Sequence, residues 1–123
     1  MKSRVILIAG SSIGQDTFLI KSLRHVAKVY YTKNMNRIKA VLNKQDVDII
    51  ILEIGTDQAD KENIIENLMT SFENLKIILI NDDRDIIAQA FSFGIVDAFR
   101  RPFKIDLLIE RIIALFANVE PKD

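Results

Sequence analysis

The chain has 123 residues, about the size of one domain, and its 49% hydrophobic and 28% charged content is that of a globular protein and not of a disordered segment. Seventeen basic residues balance seventeen acidic ones, so no global field draws the chain to nucleic acid or to an anionic membrane, although local patches are allowed. With no cysteine and a single histidine, His25, the chain has no disulfide, no thiolate nucleophile and no Cys-rich or His-rich metal site.

The first apolar run, Val5 to Ala9, ends in a Gly-Ser turn and is too short for a signal-peptide core; it reads as a buried strand of a cytoplasmic protein. Ser11 and Ser12 with Gln15 have the spacing of a capping box opening a first helix. Phe18, Leu19 and Leu23 mark that helix's apolar side, and His25 stands near its end as a surface or cap residue. A second strand is expected over Val26 to Tyr31, then a helix carrying Ile38, Val41 and Leu42. The third run, Val47 to Ile54, is apolar almost throughout and precedes a helix with Ile64, Ile65 and Leu68. The fourth, Leu75 to Ile80, is followed by Asn81, read as a neutral hydrogen-bonding turn residue. Asp82, Asp83 and Asp85 then crowd the start of a helix with Ile86, Ile87, Ala90 and Phe91, where carboxylates suit the positive end of the helix dipole better than a metal role. Val96 to Phe99 is the fifth strand, and Ile105, Leu108, Ile109, Ile112 and Ile113 define the last helix. The domain is expected to span residues 1–116. Residues 117–123 lose the periodicity and contain Pro121, as a free tail or linker stump would.

Strict alternation of strand and helix, five times over, implies an α/β fold with a doubly wound parallel sheet and right-handed crossovers. Continuously apolar first, third and fourth strands are those of a sheet covered on both faces. Ligands in such folds meet the carboxyl ends of the strands, which directs attention to the loops after Ala9, Glu53, Ile80 and Phe99.

Three segments at those strand ends together resemble the receiver domain of bacterial response regulators. Asp48-Ile-Ile-Ile-Leu-Glu53 resembles the strand that ends in the phosphorylated aspartate, and Lys76-Ile-Ile-Leu-Ile-Asn81 the strand that ends in a Thr or Ser hydroxyl. Ala90 to Phe103, with Gly94, Arg101 and Pro102, resembles the glycine turn, fifth strand and Lys-Pro-Phe signature. The resemblance implies a CheY-like, flavodoxin-like five-stranded sheet in the order 2-1-3-4-5 and a cis peptide at Arg101-Pro102. It also implies a role in two-component signal transduction, with a histidine kinase, an output domain or another signalling protein as partner. Docking would use the fourth helix, fifth strand and fifth helix, the surface that could also serve a homodimer; neither nucleic acid nor membrane is expected to bind.

Each position that carries the family's chemistry is altered. The acidic pair that holds Mg²⁺ in receivers falls on Ala9-Gly10 or on Gly10 and Ser11, none of which has a carboxylate. The phospho-acceptor position holds Glu53, the hydroxyl position Asn81, the lysine position Arg101, and the switch aromatic falls on Ala98. The expectation is therefore a pseudo-receiver, not an enzyme, without cofactor or metal. Glu53 is either a plain surface carboxylate or a half-buried one that needs a partner, and Arg101 is the evident candidate, through a charge-assisted contact. The competing reading rests on Gly10 to Thr17, which resembles the hydroxyl- and glycine-rich phosphate loop of flavodoxins and would make this an FMN-phosphate or nucleotide domain. Against it, the chain has no Trp, both tyrosines lie in the second strand, and Gly55 to Asp60 lacks an aromatic to stack on a flavin.

Overall fold

A computed structural model describes residues 4–55 and 61–117. Strands β1 (Val5–Ala9), β2 (Lys28–Thr32), β3 (Ile49–Glu53), β4 (Lys76–Ile80) and β5 (Asp97–Phe99) alternate with helices α1 (Thr17–Arg24), α2 (Ile38–Lys44), α3 (Lys61–Ser71), α4 (Arg84–Ser92) and α5 (Ile105–Ala117). All strand pairings are parallel, in the order β2-β1-β3-β4-β5, so the expected topology is the observed one.

The apolar runs explain the layering. Successive side chains of a strand point to opposite faces, so β1 sends Leu7 and Ala9 to one core and Ile6 and Ile8 to the other. Leu7, Ile50, Leu52, Ile77 and Leu79 pack under Ile38, Ile65, Leu68 and Ala90 of α2, α3 and α4. Ile6, Ile8, Ile49, Ile51, Ile78 and Ile80 pack under Leu19, Leu23, Leu108 and Ile112 of α1 and α5. Every residue of β1 and β3 is buried, whereas the edge strands β2 and β5 are partly exposed.

β3, β4 and β5 begin one or two residues later than expected, and β3 ends one residue earlier; three further differences have identifiable reasons. Val26 and Ala27 do not begin β2, because their amides bond back to the Leu23 carbonyl and close α1; pairing starts at Lys28. The capping box is also corrected: the Ser12 side chain caps nothing, and Asp16 caps α1 by accepting from the Leu19 amide at 2.9 Å. Finally, α5 runs through Ala117, the first residue of the expected tail; the rest of that tail and residues 56–60 of the loop after β3 lie outside the described residues. Gly94 closes α4 with φ +105, a left-handed conformation that suits glycine. Among the described residues no helix is long and apolar enough to cross a membrane.

Candidate functional site

The carboxyl edge of the sheet gathers the residues singled out above. Glu53 ends β3 and is only 6% exposed. Burying a carboxylate is costly unless it is bonded, and here both oxygens are. Oε1 accepts the Ser12 amide at 2.8 Å and the Ile13 amide at 3.1 Å. Oε2 accepts the Ser12 hydroxyl and the Arg101 guanidinium, the latter at 2.5 Å. Burial pushes the Glu53 carboxyl up, but the Ser12 hydroxyl, the two amides and the Arg101 charge outweigh it and hold the group below the ordinary carboxylate range.

The loop after β1 has the shape this requires. Gly10 adopts φ +151, and a Cβ built there would fall 2.5 Å from the Glu53 Cβ and 2.7 Å from its Oε1. The Glu53 side chain, from its Cβ to its Oε1, therefore fills the space that a side chain at position 10 would otherwise occupy. Ser11 is exposed and is not among the hydrogen-bond donors to Glu53. Ala9 remains inside the strand, opposite Leu52. The positions expected for an acidic pair thus supply no metal-binding carboxylate, and Glu53 has no free oxygen. No group of three carboxylate or histidine side chains among the described residues could hold a metal ion. The donor set does not fit the Mg²⁺ of a phosphorylating receiver.

Arg101 lies beyond β5, joined to Pro102 by the expected cis peptide bond. Besides Glu53 it meets Asp82, through Nε at 3.3 Å and its own amide at 3.2 Å. Arg101 holds the exposed Asp82 carboxyl below its usual value. The sequence pattern alone does not assign Asp82 this role. The usable signal was its place directly after Asn81, at the end of the strand that pairs with β5. Its neighbour Asp83 does what the helix dipole argument expects, capping α4 by accepting from Asp85 at 2.8 Å. Asn81, fully buried, donates to the Ile54 carbonyl at 2.9 Å and accepts from the Asp83 amide at 2.8 Å, so it is the neutral turn residue expected. Ala98, half-buried in β5 opposite Leu79, places no aromatic ring near the site. His25 is an exposed cap at the end of α1, as expected.

Gly10, Ser11, Ser12, Lys33, Met35, Glu53, Gly55 and Arg101 line a mainly polar cleft of about 250 Å³. Its floor is an internally neutralised cluster in which one carboxylate, one hydroxyl, two amides and one guanidinium satisfy each other.

No protein-family model matches the sequence, and no curated protein does. Solved structures do match. A two-component response regulator from Clostridium difficile superposes with a TM-score of 0.82 at 16% identity, covering 96% of this chain and 99% of that one. The signal receiver domain of a response regulator from Bermanella marisrubri gives 0.80 at 23% identity, covering 94% and 99%. A CheY-like protein, tadZ, from Pseudomonas aeruginosa PAO1 gives 0.75 at 16% identity, covering 99% of each chain. The fold is therefore the CheY-like, flavodoxin-like one across nearly the whole chain.

Proposed function

We propose that this chain is a receiver-type signalling module of a two-component-type system that works by docking to a protein partner, is not an enzyme, and does not pass through an aspartyl-phosphate cycle. One observation carries the reading: the side chain at the acceptor position is already bonded by Ser12, Ile13 and Arg101, contacts that elsewhere would be available to an incoming phosphoryl group. Glu53 supplies a permanent single charge where a phosphoryl group would bring roughly two. The protein partner would be a kinase, an output domain or another signalling protein, met on the face formed by α4, β5 and α5, where Phe91, Leu107 and Ile113 are exposed. The same face could pair two copies.

The flavodoxin-like alternative is less well supported, since the Ser12 and Ile13 amides that would cradle a phosphate are donated to Glu53 instead. Incubation with acetyl phosphate and Mg²⁺ followed by mass spectrometry tests the proposal. The unmodified mass is expected, and a phosphoryl group mapped to Glu53 would overturn it.

A further inference from the structure

The formal neutrality of the chain hides a strong division. Residues 1–45 hold nine Lys or Arg and one carboxylate, whereas residues 46–123 hold eight and sixteen. The order of the sheet turns this division in sequence into one in space, because β2 is an edge strand and is flanked by α1 and α2 from the same part of the chain. Lys21 and Arg24 on α1, Lys28 and Lys33 at the two ends of β2, and Arg37 and Lys39 at the start of α2 are all exposed. None of the six has an ion-pair partner among the described residues. The single carboxylate of this region, Asp16, caps α1.

From this we infer that the β2 edge is a docking surface for an acidic, extended segment of a protein partner. The inference rests on the reading of this chain as a docking module and places the contact on a different face from α4, β5 and α5. Three features favour a polypeptide. An edge strand offers unpaired main-chain donors and acceptors to an extended chain. Exposed aromatics lie among the cations, Phe18 at 57% and Tyr31 at 41%, with the Lys28 ammonium over the Tyr30 ring, a mixture suited to protein interfaces. Lysines on a strand edge also deter pairing with a like edge and select an acidic one. A second copy is a poorer complement, because its acidic half interleaves Arg84, Arg100 and Lys104 with Asp83, Asp85 and Asp106, all exposed. Lys33 belongs both to this edge and to the rim of the Glu53 cleft, so a docked segment would lie beside Arg101 and Glu53.

The test titrates the ¹⁵N-labelled full chain with a twelve-residue peptide of alternating Glu and Thr, an isosteric Gln-Thr control and a single-stranded DNA of equal length. The expected result is saturable amide shifts confined to β2 and the facing parts of α1 and α2, with the acidic peptide only. Affinity should weaken on the order of tenfold from low to high salt, as it should for Lys28→Glu with Lys33→Glu. Lys21→Glu with Arg24→Glu, confined to one helix surface, gives the same direction without touching strand pairing. No shifts, shifts centred on α4, β5 and α5, tighter binding of the DNA, or self-association through the same amides would each overturn the inference. None of these outcomes bears on whether Glu53 accepts a phosphoryl group, so failure here and failure of the functional reading are separable.

Discussion

Two arginines of this protein each hold a carboxylate near the fifth strand, in different surroundings. Arg101 meets Glu53 at 2.5 Å and Arg111 meets Asp97 at 2.9 Å, so the contacts alone are of one kind. The carboxylates differ. The Glu53 side chain is 5% exposed and has three further donors from the β1–α1 loop, whereas that of Asp97 is 31% exposed and adds only the adjacent Ala98 amide at 2.8 Å. A carboxylate becomes part of the interior when donors on other segments converge on it, and the guanidinium is one donor among several. The first pair therefore ties three strand ends together; the second fastens a helix to a neighbouring strand.

The largest effect should come from disturbing that convergence without removing a charge. Gly10→Ala places a methyl group 2.5 Å from the Glu53 Cβ at a backbone angle unfavourable to alanine. A loss of about 3 kcal/mol is expected by urea unfolding, from overpacking and backbone strain together. A loss below about 0.5 kcal/mol would mean that the loop yields freely and that its fit to Glu53 is not specific.

Next comes the charge pair itself. A fully buried pair broken on one side costs roughly 3–5 kcal/mol, but Arg101 is 36% exposed, and the Ser12 and Ile13 donors remain when it is removed. A double-mutant cycle between Glu53→Gln and Arg101→Met should give a coupling of about 1–2 kcal/mol. Additive single effects would show that the two side chains do not communicate, and the idea of a built-in substitute for phosphate would lose its basis.

Protonation perturbs the same pair more gently. The Glu53 carboxyl lies below its ordinary value in the folded chain, against about 4.3 when unfolded. Its contribution is thus fully present above the unfolded value and is lost as pH falls through the folded one. Stability measured between pH 7 and acid should fall less steeply in Glu53→Gln than in the wild type. Identical slopes would show that Glu53 takes no part in acid sensitivity.

Much of this arrangement was legible in the sequence because it follows from local pattern. Alternating apolar runs and helical spacings give the five strands and their double burial, and the Glu53–Arg101 contact follows from placing both residues at one sheet edge. What escaped was the choice each polar group made among partners. The spacing of Ser12 to Gln15 suits a helix cap, but a buried carboxylate is a stronger attractor than a helix end that Asp16 already serves. Sequence alone places Asp82 with its helix-capping neighbours, since nothing in one dimension separates a residue facing the fifth strand from one facing its own helix. The Arg111–Asp97 pair likewise depends on how α5 lies against β5, which periodicity alone does not determine.

That last pair should give the smallest effect and so provides the control for the first. Both of its side chains are about a third exposed, 38% and 31%. Water therefore screens the attraction and competes for the same donors. Arg111 also reaches the Val96 carbonyl at 3.5 Å, a long contact that adds little. The cycle between Asp97→Asn and Arg111→Met should give a coupling of about 0–1 kcal/mol, reduced further in molar salt because exposed pairs are screened over about 3 Å there. The Glu53–Arg101 coupling should survive the same salt, since one partner lies out of reach of the counterions. If both couplings fall together, burial of Glu53 is not what distinguishes the two pairs, and the difference must come from the Ser12 and Ile13 donors, which Ser12→Ala would then reveal by lowering the Glu53–Arg101 coupling at all salt concentrations.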